Sequence, residues 1–206
     1  MGILNRTSPG GVVWPAIDQS VRFNSADGDI LSFTPTVDGD LRKGTFSFWL
    51  KRVTLGTLQE IYTAYVSAGS RWGVQFTTGD KLEFTFNTSS NVASTDAVYR
   101  DTTNWYHFCI SYDTDQAASA DRVTIEVNGV EQSYTWNTPV TQNSDTEIGA
   151  NGTLQCVSGE TPSNYHLDAL LADFHYLNGQ VLAASNFGQY DPSTPTFWRH
   201  KPFTGV

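Results

Sequence analysis

Charge is scarce in this sequence. Asp, Glu, Lys and Arg make up 16% of its 206 residues, where an ordinary soluble domain carries about 25%. The shortage falls mainly on the basic side: 12 Lys and Arg face 21 Asp and Glu, for a net charge of -9. Nucleic-acid binders need a basic footprint to displace counterions from phosphates, so no nucleic-acid partner is expected. An anionic membrane surface is disfavoured on the same ground. Long apolar runs are missing as well. Nothing approaches the roughly 20 residues of a spanning helix, and the stretch Met1-Gly2-Ile3-Leu4-Asn5-Arg6 lacks the apolar core of a secretory leader. The expectation is synthesis in a cytoplasm without membrane insertion.

Cysteine is nearly absent. Cys109 and Cys156 are too few for a disulfide framework or a zinc site, and Cys109 sits in an apolar run where a thiol behaves as a small core hydrophobe. Met1 is the only methionine. In place of charged and helix-forming residues stand 18 Ser, 25 Thr and 12 Asn, with aromatics at 13%. Thr, Val, Phe, Tyr and Trp suit strands. This composition argues against a helix bundle, a coiled coil or a disordered chain.

What is present reads as short strands between turn signals. Thr45-Phe-Ser-Phe-Trp-Leu-Lys-Arg-Val53 alternates, with Phe46, Phe48 and Leu50 on one side and Ser47, Trp49 and Lys51 on the other. Trp49 is expected to be buried between sheets. Lys81–Phe86 alternates more strictly, with Leu82, Phe84 and Phe86 inward and Lys81, Glu83 and Thr85 outward. Further strands are predicted at 20–23, 30–33, 60–66, 72–76, 98–100, 105–112, 123–127, 146–148 and 167–177. Asn128-Gly129 is the strongest hairpin signal, because both residues tolerate positive φ. Only Leu177–Phe187 offers room for a helical turn. About eleven such strands fit two antiparallel sheets packed face to face, with a barrel as the alternative. Residues 1–16 read as an irregular N-terminal arm and 17–206 as one domain. Within it, 186–206 is Pro-rich and aromatic, and is predicted to wrap the body as a C-terminal tail.

The segments also form an ordered series: Ser20-Val-Arg-Phe-Asn24, Leu31-Ser-Phe-Thr-Pro35, Thr45–Arg52 and Trp105-Tyr-His-Phe108 with Asp113. Val127-Asn-Gly-Val130, Ile148-Gly-Ala-Asn151, Leu167–Phe174 and Asn178-Gly-Gln-Val-Leu182 with Phe187-Gly188 complete it. In this order, over roughly residues 18–206, the chain resembles the concanavalin A-like, laminin-G-type jelly-roll domains found in structural proteins of tailed phages, notably marine ones. The resemblance implies an all-β, two-sheet antiparallel jelly roll, carried on tail fibres, appendages or the capsid exterior. Relatives use the fold to bind carbohydrate, and some distant ones hydrolyse it. Phage relatives place the domain within longer fibres, and the shortness of this chain favours a stand-alone surface component.

Catalysis is not expected. Glycoside hydrolysis needs two carboxyls at a fixed separation, and the Glu-x-Asp-x-x-Glu run of glucanases with this fold is missing. The nearest strand pair, Asp168 and Asp173, falls on opposite faces by parity. Of the four histidines, His107 reads as a hydrogen-bonded structural residue, and the pairs His166/Asp168 and Asp173/His175 make at most half a transition-metal site. Calcium is the one cofactor the resemblance admits. Asp27 and Asp29 are its candidate ligands, beside Asn24 and, in the next loop, Asp38 and Asp40, although Asp-Gly pairs are equally turn formers. For glycans, exposed aromatics stack on sugar faces beside a few orienting polar groups; Trp72, Tyr99 and Trp136 are the candidates. Trp14 and Trp198, in the two arms, are candidates for docking on a particle. The Asn-x-Ser/Thr matches at Asn5, Asn87 and Asn151 are discounted without a secretory route.

The expected function is therefore that of a non-enzymatic virion surface protein, a head decoration or tail appendage. It docks on capsid or tail proteins, forms a homo-oligomer with a trimer favoured, and contacts host-surface glycans. The alternatives are a free lectin and a glycoside hydrolase of the same fold.

Overall fold

The computed structural model describes residues 17–67, 69–87, 91–159 and 165–205; the predicted arm, Trp14 included, lies outside them. Two antiparallel sheets stack face to face. The six-stranded sheet runs, in spatial order, β1 (Val21–Phe23), β13 (Ala169–Asn178), β3 (Lys43–Arg52), β8 (Tyr106–Asp113), β9 (Val123–Val127) and β10 (Val130–Glu131). The seven-stranded sheet runs β11 (Tyr134–Trp136), β7 (Asn91–Thr95), β6 (Leu82–Phe86), β5 (Ser70–Phe76), β4 (Gln59–Ser67), β12 (Leu154–Val157) and β2 (Leu31–Phe33). A separate hairpin, β14 (Gly188–Asp191) with β15 (Thr194–His200), follows the sandwich. This is the all-β, two-sheet antiparallel sandwich expected from the alternating pattern, and the jelly roll that the resemblance implies.

Strand parity places the core. Phe46, Phe48 and Leu50 of β3 meet Phe84 and Phe86 of β6 and Phe108, Ile110 and Tyr112 of β8 between the sheets. The rings pack at offset or edge angles, such as Phe84 on Phe86 at 4.7 Å and 83°, the geometry that ring quadrupoles favour. Each fully buried Phe contributes roughly 1.5–3 kcal/mol by leaving water. Asn128 and Gly129 have φ of 51° and 74° and join β9 to β10, the mirror-image turn that matches strand twist. Ala184–Asn186 forms a single 3₁₀ turn.

Two predicted strands are absent from those positions. Val98–Arg100 and Thr146–Ile148 are loops, because their apolar residues serve as single plugs and not as ladder members. Tyr99 packs on Phe76 and Phe108, held there because the buried Arg52 guanidinium donates to its backbone carbonyl at 2.8 Å. Arg52 in turn pairs with Asp80 at 2.9 Å. Burial pushes the Asp80 carboxyl up, but the bonds from the Gly56 N–H, Arg100 and Arg52 outweigh it and hold it below its ordinary value.

Trp49 is buried, but not between the sheets. It faces outward from the six-stranded sheet and forms a second cluster with Cys109, Ala172, Ala184, Phe187 and Trp198. Residues 184–200 lie over that face, which explains why β3 is buried on both sides. Trp198 sits in a slot between Gly129 and Gly188, where an added Cβ would come within 2.3 Å and 2.4 Å of its ring.

Candidate functional site

Parity sends every second residue of β4, β5, β6, β7 and β11 to the outer face of the seven-stranded sheet. Register then aligns five of them. Glu60 pairs with Gln75, Gln75 with Glu83, Glu83 with Ser94, and Ser94 with Thr135. The result is one polar rung crossing five strands, with neighbours about 4.8 Å apart. The Glu60 end is buried, at 1% exposed. There Glu60 pairs with the Arg71 guanidinium at 3.1 Å and accepts a bond from Thr63 Oγ1 at 3.1 Å, while the Arg71 guanidinium lies 5.6 Å from the Tyr165 ring. The Thr135 end is exposed.

A groove of about 500 Å³ opens along this rung, lined among others by Arg71, Gln75, Glu83, Ser94, Thr135 and Trp136. Its floor is acceptor-rich. Gln75 is only 6% exposed, and its Nε2 donates to Glu83 Oε2 at 2.7 Å. Gln75 Oε1 has no hydrogen-bond partner among the described residues. An unsatisfied buried acceptor costs about 1–3 kcal/mol.

The aromatic candidates separate here. Trp136 lines the groove, but it pairs with the buried Ala93 and so has core parity, packing half-buried against the inter-sheet cluster with its ring 6.1 Å from Phe86 and 5.8 Å from Tyr134. Trp72 has core parity and packs, half-buried, against the inter-sheet cluster; only its neighbour Arg71 reaches the groove. Tyr99 is 4% exposed, so a core position replaces the predicted sugar contact. The structure does not bring the three together. Gln75, Ser94 and Thr135 were not among the predicted residues, and Glu83 was placed outward without a role. The signal that would have found them is cross-strand register, which needs β7. The stretch Asn91-Val-Ala-Ser-Thr95 has a loop-like composition and hides that strand.

The remaining candidates fall elsewhere. Asp27 accepts from Asn24 Nδ2 at 2.6 Å in a tight turn, and both Asp27 and Asp29 are exposed. No group of three or more His, Cys, Asp or Glu side chains converges as a metal site among the described residues. Trp198 is 9% exposed; its indole docks on this chain's own His107. Trp198 Nε1 donates to His107 Nδ1 at 3.0 Å, so the ring proton sits on Nε2 and points at Ser47 Oγ, 3.0 Å away. Burial drives the His107 pKa down to about 3. A histidine already donating to the serine cannot take its proton, so this dyad is structural and not nucleophilic. Asp168 accepts from Arg22 at 2.5 Å and from Thr54, tying down the start of β13.

The rung also sets Glu60 and Glu83 two strands apart, roughly 10 Å between backbones, a separation near that of an inverting carboxyl pair. Glu60, however, is closed beneath its ion pair with Arg71.

Comparisons with known proteins agree with this architecture. A profile of the concanavalin A-like lectin/glucanases superfamily matches residues 24–187. No curated protein matches the chain by sequence. Among solved structures, the heptameric SAP-like pentraxin of Limulus polyphemus is 16% identical, with a TM-score of 0.51, over 71% of this chain and 68% of that one. Domain 4 of an extracellular arabinanase from Geobacillus stearothermophilus, in complex with arabinotriose, is 15% identical, with a TM-score of 0.50, over 76% of this chain and 70% of that one. A Trypanosoma rangeli sialidase with the inhibitor DANA is 12% identical, with a TM-score of 0.48, over 70% of this chain; the match spans only 22% of the sialidase. With most of its length matched by the profile and both sheets in place, the chain belongs to the concanavalin A-like lectin/glucanases superfamily.

Proposed function

We propose that this chain is a non-enzymatic glycan-binding domain whose sugar seat is the groove along Gln75, Glu83, Ser94 and Thr135, with Trp136 at its wall. The observation that carries the reading is the polar rung, set in register across five strands and open along a groove from Gln75 to Thr135. From Gln75 to Thr135 it spans three strand spacings, about 14 Å, which suits an oligosaccharide rather than one sugar. The arabinanase domain of the same fold was solved with arabinotriose, which makes short oligosaccharides the first ligands to try.

The wider setting we propose is the surface of a tailed-phage particle, as a head decoration or tail appendage made in the host cytoplasm. What supports this is the ordered series of segments from Ser20 to Gly188. Copies arranged as trimers would turn weak single-site contacts into useful avidity. A glycan array with the purified protein, paired with imaging of particles that carry a label on this chain, tests both parts. Binding to surface polysaccharides with label on the particle is the expected result. Silence on the array with stable docking leaves an architectural role only.

Hydrolysis is the second reading, raised by Glu60 and Glu83. It requires two carboxyls to reach the substrate, and Glu60 is buried beneath Arg71 and does not line the groove. Release of reducing ends from a glycan that the protein binds would establish it.

A further inference from the structure

The groove contains more than a place for sugar; its charges discriminate among sugars. Arg71 is the one cationic side chain lining it among the described residues, and that guanidinium is ion-paired with Glu60 at 3.1 Å. The Glu83 and Gln75 side chains line the same space, and beyond its exposed end Asp96 accepts from Thr135 Oγ1 at 3.4 Å. These oxygens need hydrogen-bond donors. A hydroxyl group supplies one, whereas a carboxylate supplies none and adds repulsion. Like charges brought together in a partly desolvated groove cost affinity and act as a rejecting element.

Resting on the reading of this groove as a glycan seat, we propose that it selects uncharged, hydroxyl-rich glycans and rejects those bearing carboxylates, the uronates and sialic acids. Gln75 and Glu83 form the selecting pair. The Gln75 amide donates to Glu83 at 2.7 Å and so holds the carboxylate in place, while its own oxygen stays buried. Glu83, half-buried on the groove wall, supplies both the acceptor and the repulsion. The pair belongs to adjacent strands in direct register, so the sheet itself sets its spacing.

The test is calorimetric titration of the full chain with cellotriose, maltotriose, trigalacturonate and sialyllactose, repeated on Glu83→Gln. At least one neutral trisaccharide is expected to bind the native protein at least tenfold more tightly than either acidic probe. Glu83→Gln keeps the shape and removes the charge. It is expected to weaken the neutral sugar about tenfold, as loss of a charged hydrogen bond does, and to narrow the neutral-to-acidic ratio. Near-ultraviolet circular dichroism identical to the native protein shows that the variant is folded. Preference for trigalacturonate or sialyllactose would overturn the selectivity and leave the glycan seat standing. A ratio unmoved by Glu83→Gln would overturn the role of Glu83. Silence toward all four probes, followed by silence on a broad array, would overturn the glycan seat and the selectivity with it.

Discussion

The two outer faces of this sandwich solve opposite problems. On the six-stranded sheet the outward positions hold Trp49, Cys109 and Ala172, apolar groups that a single sandwich would leave wet. The chain covers them with its own hairpin, whose Trp198 seals the buried His107. On the seven-stranded sheet the outward positions hold Glu60, Gln75, Glu83, Ser94 and Thr135, and a groove remains along them. The same alternation that fills one core therefore writes a covered apolar surface on one side and an open polar groove, the proposed recognition surface, on the other. Substitutions on the first should move folding and leave binding, and substitutions on the second should do the reverse.

The largest effect is expected at Trp198→Ala. It empties the slot between Gly129 and Gly188 and removes the indole N–H from His107. A loss of about 3–5 kcal/mol in urea unfolding is the expected outcome. A loss below about 1 kcal/mol would mean that the hairpin is an ornament on an independently stable sheet. Trp49→Ala, in the same cluster, should behave similarly, since burial under the tail and burial between sheets remove the same apolar area from water.

Next comes acid. The folded-state pKa of His107 lies at about 3, below its ordinary 6.5, so the unfolded chain binds the extra proton between those values. Stability is then complete above pH 6.5 and falls as pH drops toward 3, by up to about 1.4 kcal/mol per pH unit from this one group. Burial pushes the Asp173 carboxyl up, but the bonds and charges of His175 and His200 outweigh it and hold it low. Its contribution is present above 3.8 and is lost as pH falls further. Both groups belong to the covered face. Denaturation midpoints measured from pH 7 to 4 should fall steeply for the native protein and less steeply for His107→Gln. Equal slopes would place the acid sensitivity elsewhere.

How far this contrast was legible in the sequence differs between the two faces. The inward apolar residues Phe46, Phe48, Leu50, Leu82, Phe84 and Phe86 follow from period-two alternation, and the core forms from them as expected. The aromatics of residues 186–206 announced burial, which Phe187 and Trp198 meet and the exposed Tyr190 and Phe197 do not, and they gave no target. His107 and Trp198 stand 91 residues apart, and pattern carries no information about that meeting. The recognition face was hidden for a different reason. Its residues are ordinary outward polar positions, each unremarked until register sets them in one line, and register depends on β7. Tyr99 shows the reverse failure. Its place in a short strand expected at 98–100 left the ring free to meet a sugar, while in the structure this stretch is a loop, Arg52 draws its backbone inward and Phe76 and Phe108 receive its ring.

The smallest effect on folding is expected from the groove. Glu83→Gln and Thr135→Ala should each change stability by less than about 0.5 kcal/mol, while altering ligand binding. A larger loss of stability with binding intact would make the rung a structural device and erase the contrast between the faces.

Amide chemical-shift mapping with a bound neutral trisaccharide tests whether the rung on the seven-stranded sheet is the seat for sugar. Perturbations are expected to centre on Gln75, Glu83, Ser94, Thr135 and Trp136, with the loop at Asn24–Asp29 and the hairpin around Trp198 unmoved. Perturbations centred on that loop or that hairpin, with the rung silent, would contradict that seat.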